Sequence, residues 1–222
     1  MRKISFGVLV GFVMLSMANF SFAGDSEYYV GFKTGASIQD YNNVVFDNPR
    51  ITGTARDNGA DASEIISFQV GKKFSFVPVR FEVEYVSTGQ VTFDRHHDPF
   101  AANRQRITVD SERLMFNLYH DCDFFDFVSM YAGAGVGLAF NESDALQGTS
   151  SEFADSTVTS VAWSISAGVT KDIFTDYTVD LGYRYVDLGD ANTGWSQFAP
   201  SDEQFRGQLD AHEIAVGVRY NF

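Results

Sequence analysis

The sequence predicts an all-β fold: an eight-stranded antiparallel up-and-down transmembrane β-barrel, with short turns at one end and four long extracellular loops at the other. Three observations carry that expectation. Apolar side chains alternate with polar ones at period two through eight segments. The connections between those segments alternate between short and long. The segments run to about 11–14 residues, beyond the mode of about 5–6 for soluble strands and sufficient for the ~9–11 of a tilted membrane strand.

Residues 1–23 precede the first strand and read as a secretory signal peptide. Met1–Arg2–Lys3 is a basic start, Ile4–Met17 an apolar stretch, and Ser21 and Ala23 set small residues at a cleavage site. The domain expected to fold is therefore 24–222. Removing the leader takes away Arg2 and Lys3 and no acid, leaving 14 basic against 29 acidic residues, a net charge of −15. Such acidity argues against a nucleic-acid partner, which needs a basic surface. One cysteine, Cys122, excludes a disulfide framework within the chain.

The first strand, Tyr28–Ile38, sets Tyr28, Val30, Phe32, Ala36 and Ile38 opposite Gly31, Lys33, Gly35 and Ser37. The second, Glu64–Phe74, carries Ile66, Phe68 and Val70 on its apolar face; the third, 79–87, sets Val79, Phe81, Val83 and Tyr85 against Arg80, Glu82 and Glu84. Val109–His120, Phe127–Phe140 and Val158–Thr170 follow with Leu114, Phe116, Val136, Leu138, Trp163 and Ile165. The seventh, 177–186, opposes Val179, Leu181, Tyr183 and Tyr185 to Asp180, Gly182 and Arg184. The eighth opposes Ile214, Val216, Val218, Tyr220 and Phe222 to Glu213, Ala215, Gly217 and Arg219. Ser75–Pro78, Asp121–Asp126 and Lys171–Asp176 read as turns. Gln39–Ser63, Gly89–Thr108, Asn141–Thr157 and Leu188–Gly207 read as long polar loops.

The polar face carries charges of both signs: Lys33, Arg80, Arg113, Arg184 and Arg219 against Glu82, Glu84, Asp180 and Glu213. They nearly cancel although the whole chain is strongly acidic. Near-neutrality suits an enclosed lumen, where unpaired charge is costly, better than a water-facing wall. These nine residues are thus expected to form an interior charge network, with the apolar face against lipid. Depth matching along neighbouring strands pairs Lys33 and Arg184 with Glu213, Asp180 with Arg219, and Arg113 with Glu82 and Glu84. Tyr28, Phe74, Phe76, Phe124, Phe125, Tyr177 and Phe222 gather at one rim and Tyr85, Phe140 and Tyr185 near the other, the aromatic belts of a membrane barrel.

Residues 114–121 with 131–140, then 179–189, then 216–222 resemble successive strands of the small outer-membrane β-barrel proteins of opacity-protein and surface-antigen type, a porin-family group related to the barrel of outer membrane protein A. That resemblance implies export to the outer membrane of a Gram-negative bacterium and a structural, surface-display role. It also implies that Phe222 is part of the signal read by the barrel-assembly machinery. The chain stops at Phe222, so a following peptidoglycan-binding domain is not expected. Outer-membrane lipid, lipopolysaccharide and a host or cell-surface ligand reached through the loops are the expected partners.

Two alternatives accompany the display reading. An eight-stranded barrel is filled by its own side chains, so only a narrow ion-conducting pore could pass through the charge lattice. A lipid-modifying enzyme could use Asp210 and His212, which share the apolar phase of the last strand, with Ser196 or Ser201; no spacing here defines a triad, and no enzyme activity is expected. Asp94, His96, His97 and Asp98, and the acids Glu142, Asp144, Glu152 and Asp155, read as solvated loop residues, so no metal or other cofactor is expected.

Overall fold

A computed structural model describes residues 26–47, 53–54, 59–96, 104–125, 127–147, 151–152, 154–195 and 204–222. The leader read over residues 1–23 lies outside them. The strands are β1 (Ser26–Asp47), β2 (Gly59–Phe74), β3 (Val79–Thr88, resumed as Val91–His96), β4 (Arg104–Phe125), β5 (Val128–Gln147), β6 (Ser156–Phe174), β7 (Tyr177–Asn192) and β8 (Gln204–Asn221). Each pairs antiparallel with the next, and β1 pairs with β8, so the sheet closes into a ring without free edges. Gly53–Thr54 and Ser151–Glu152 add short pairings to the outer ends of β1 and β5. Among the described residues no helix is long and apolar enough to cross a membrane; the strands do the crossing.

The alternation seen in the sequence sets the wall. Val30, Phe32, Phe68, Phe81, Phe116, Leu118, Val136, Leu138, Val161, Ile165, Leu181 and Val216 all point outward and are exposed, whereas Lys33, Glu82, Glu84, Arg113, Asp180, Arg184 and Glu213 point inward and are buried. This inside-out arrangement is stable only with hydrocarbon around it.

The strands are longer than the sequence reading placed them, and this corrects the loop assignments. The membrane-proximal parts of Gln39–Ser63, Gly89–Thr108, Asn141–Thr157 and Leu188–Gly207 are strand, and β4 continues to Phe125 through most of Asp121–Asp126. Period two persists there, but its sense reverses. Tyr41, Val91, Phe93, Ile107, Val109, Leu188, Phe205 and Leu209 point into the barrel and pack as one buried apolar cluster. Asp40, Thr92, Asp94, Arg106, Asp110, Glu112, Glu142, Asp144, Asp187 and Asp210 stand on the outer wall. Where the wall leaves lipid and meets water, polar residues move outside and the core becomes apolar, as in a soluble barrel. From Asp40 to Asp47, at ~3.3 Å per residue and a tilt of ~35–45°, β1 rises roughly 15–20 Å beyond the apolar band.

Two irregularities accompany this outer segment. The β7–β8 register shifts between Asp187 and Gly189, and Gly189 takes φ of 72° while its N–H donates to Asp187 Oδ1 at 2.9 Å. A side chain there would be strained and would also meet Ser160 Cβ at 2.6 Å. β1 shifts against β8 between Asn42 and Val45, where Asn43 takes φ of 52°.

Candidate functional site

The lumen is layered from the turn end upward. The lowest layer is a vestibule of about 210 Å³ lined by Tyr29, Arg80, Asp121, Thr178, Arg219 and their neighbours. Above it lies the charge belt. Lys33 Nζ stands 3.7 Å from Glu82, Arg80 Nη1 is 3.8 Å from the same carboxylate, and Arg80 Nε donates to Asp121 at 3.1 Å. Arg113 Nη2 donates to both oxygens of Glu213 at 2.6 Å, and Arg184 bonds Glu84 while its Nη1 stands 3.8 Å from Glu213. Asp180 and Arg219 are buried inward as well, although Asp180 Oδ1 accepts from the Tyr131 hydroxyl.

Of the depth-matched pairings, Arg184 with Glu213 is present, and others differ. Lys33 meets Glu82 rather than Glu213, and Arg113 meets Glu213 rather than Glu82 or Glu84. Register counting compares only adjacent strands along the wall, whereas an eight-stranded lumen is narrow enough for long side chains to join its opposite sides. β4 and β8, which carry Arg113 and Glu213, are not neighbours in the ring.

The sequence reading overlooked the tyrosines of the belt. Tyr29 donates to Glu82 Oε2 at 2.9 Å and Tyr119 to Glu82 Oε1 at 3.3 Å, while Asn117 Nδ2 donates to Glu84 at 3.0 Å. Each tyrosine lies beside a glycine of the next strand: Tyr29 faces Gly71, Tyr119 faces Gly133 and Tyr131 faces Gly168. A Cβ at Gly71 would overlap the Tyr29 ring, so the bare backbone makes the room for it. The Tyr–Gly cross-strand pairs were a signal available once register was known.

Between belt and apolar cluster lies a neutral polar layer. Gln39 donates to Ser63 at 3.1 Å, Ser111 donates to Asn141 Oδ1 at 2.7 Å, and Asn141 Nδ2 donates to the Leu188 and Asp190 carbonyls at 2.9 Å. The apolar cluster closes the top, with Tyr41 stacked on Phe93 and its hydroxyl bonded to the Ala191 carbonyl at 2.6 Å. Within the belt a cavity of about 20 Å³ remains, room for about one water.

On the outside, Phe174, Tyr177, Tyr220, Phe222 and Tyr28 form a chain of ring contacts at the turn end, with centroids 5.2–6.4 Å apart. Phe222 is held by backbone hydrogen bonds to Tyr28 in both directions, at 2.8 and 3.1 Å. The side chains of Phe124 and Phe125 lie outside the described set. At the outer boundary, His212 Nδ1 and the Tyr183 hydroxyl share a 2.7 Å hydrogen bond, and His212 also meets the Tyr185 ring. Asp210 lies opposite both Asp40 and Asp187 in the sheet. Burial and these two carboxylates raise its pKa above the ordinary Asp range. Asp210 and His212 thus face outward beside Asp40. Ser196, Ser201, His97, Asp98 and the side chain of His96 are not among the described residues.

A closed, antiparallel, inside-out ring with aromatic belts is the build of an integral outer-membrane β-barrel. The chain belongs to the family described as the outer membrane protein beta-barrel domain, matched over residues 7–222. It is 23% identical over 130 residues to a Rickettsia bellii protein provisionally named an adhesin, covering 54% of this chain and 55% of that one. It is 31% identical over 105 residues to the 56 kDa type-specific antigen of Orientia tsutsugamushi, covering 47% of this chain and 17% of the antigen. The chain therefore spans about half the length of the adhesin relative and less of the antigen. The crystal structure of OprG from Pseudomonas aeruginosa superposes with a TM-score of 0.51 at 12% identity, covering 89% of this chain and 96% of OprG, a likeness of fold.

Proposed function

We propose that the protein is a surface-display barrel, exported by its N-terminal leader, whose polar outer segments contact a host or neighbouring cell surface. The observation that carries this reading is the reversal of amphipathicity above the membrane. A wall that is acidic outside and apolar inside forms a self-supporting pedestal, and it carries the end of β1 roughly 15–20 Å beyond the lipid-facing band. The names of the relatives in Rickettsia bellii and Orientia tsutsugamushi support a role at the cell surface without catalysis. The charge belt and the apolar cluster together act as a plug that ties opposite walls together, in preference to a pore. Lipid and lipopolysaccharide surround the wall, and the barrel-assembly machinery reads the Phe222 end.

The test expresses the full chain in a non-adherent bacterium and measures attachment to cultured host cells. Shortening the segments at 48–58, 97–103, 148–155 and 196–203 should abolish attachment while the protein remains a heat-modifiable band in the outer-membrane fraction. Undiminished attachment by a folded barrel lacking all four would overturn the reading.

A further inference from the structure

The vestibule at the turn end has donors with nothing to donate to. The Arg80 guanidinium is buried, with Tyr119 against it at 4.4 Å and Tyr131 at 4.8 Å, measured to the ring centroids. Its Nε–H donates to Asp121, and the Tyr29 hydroxyl lies beside the guanidinium. Among the described residues Nη1 and Nη2 have no hydrogen-bond partner, Glu82 lying 3.8 Å from Nη1. Arg219, on the opposite strand pair, rests over the Tyr29 ring at 5.2 Å with its Nε likewise unpartnered. Both guanidiniums line the same 210 Å³ space.

Three of the four carboxylates of that space already accept hydrogen bonds. Asp121 accepts from Arg80, Asp123 from the Ser129 hydroxyl and Asp172 from the Thr178 hydroxyl; Glu27 lies opposite Lys73 in the β1–β2 register. The lining sets these four carboxylates against Lys73, Arg80 and Arg219; what lacks a partner is the donor edge of the two guanidiniums, and a buried donor without an acceptor is costly. A planar guanidinium edge matches an oxyanion in shape and charge.

We propose that the vestibule binds one small oxyanion of phosphate or carboxylate type from the periplasmic side, seated between Arg80 and Arg219. The surrounding carboxylates keep larger polyanions out. This site lies at the opposite end from the displayed segments and is independent of what they bind.

The test uses the full chain folded in detergent, with inorganic phosphate and acetate as probes in equilibrium dialysis at constant ionic strength set by chloride. One saturable equivalent is expected for the unaltered protein. Arg219→Gln or Arg80→Lys, each checked for heat-modifiability, should weaken binding about tenfold or more, the worth of a charge-assisted hydrogen bond. Lys171→Gln, on the outer wall, should bind as the parent does. Independently of any variant, phosphate should protect Arg219 of the unaltered chain from phenylglyoxal, read by peptide mass. Absence of saturable binding over chloride, unchanged binding in both folded arginine variants, or no protection of Arg219 would each overturn the proposal and leave a water-filled cap.

Discussion

Replacing Glu213 with alanine isolates what the charge belt contributes to the fold. Glu213 and Arg113 are joined across the lumen by two hydrogen bonds of 2.6 Å, and their side chains are 2% and 0% exposed. Arg113 Nε and Nη1 have no described hydrogen-bond partner, so Glu213 is the carboxylate that Arg113 hydrogen-bonds, with Glu84 a more distant counter-charge. Loss of Glu213 strands a buried guanidinium and also removes a second carboxylate from Arg184. Breaking a buried pair in this way costs about 3–5 kcal/mol, against about 0–1 for an exposed pair. The assay is urea unfolding in lipid vesicles, followed by the fluorescence of Trp163 and Trp195. Arg113→Met combined with Glu213→Leu should return to the parent stability or exceed it, because no charge is then left alone. A loss below about 1 kcal/mol for Glu213→Ala would mean that water reaches the belt and screens it, and the plug argument would fail.

Four further outcomes follow from the same wall. Val83→Arg places a cation on the lipid face and should cost about 2–4 kcal/mol in vesicle unfolding; no loss would invert the face assignment. Ile107→Ala, in the apolar cluster above the membrane, should cost about 2–5 kcal/mol, whereas outward Thr108→Asp should stay within about 0.5; equal effects would deny the outer segment a core. The raised Asp210 pKa means that the folded state holds this proton more tightly than the unfolded chain. Its contribution is fully present below the unfolded value near pH 4 and is lost as pH rises through the folded value. Asp210→Asn should therefore gain about 0.2–1 kcal/mol at pH 7 and narrow the difference between urea midpoints at pH 7 and pH 3.5; a lower midpoint at pH 7 would refute this. Deleting Phe222 should lower the yield of heat-modifiable protein in outer membranes, and unchanged yield would remove its assembly role.

The membrane half of the barrel was legible because each face keeps one character. Val30, Phe32, Ala36 and Ile38 repeat on β1 as Val79, Phe81 and Val83 do on β3, so the phase can be followed without knowing the neighbours. The outer half was missed although the same rhythm continues. Val91 and Phe93, Ile107 and Val109, and Phe205 and Leu209 are all spaced by two, but an apolar side chain changes meaning from lipid-facing to core-facing where the solvent changes. The reversal cannot be read from one strand; it needs the height of the lipid boundary. The charge partners were hidden for a different reason. Arg113 and Glu213 belong to strands that do not touch, and only the bore of the closed ring brings them together.

The acidic outer wall has a consequence for biogenesis. Asp40, Asp110, Glu112, Glu142, Asp144, Asp187 and Asp210 end up on the far side of the membrane and point away from the lumen, so closing the ring first does not shelter them. A charged side chain at the centre of a helix in the hydrocarbon costs about 2.5–3.5 kcal/mol by insertion scales. Unassisted threading of a finished barrel would drag the whole collar through oil. Strands of this build are better delivered one hairpin at a time through a proteinaceous opening and closed only after the collar has emerged. In synthetic bilayers, insertion should therefore quicken at low pH, where the collar is discharged.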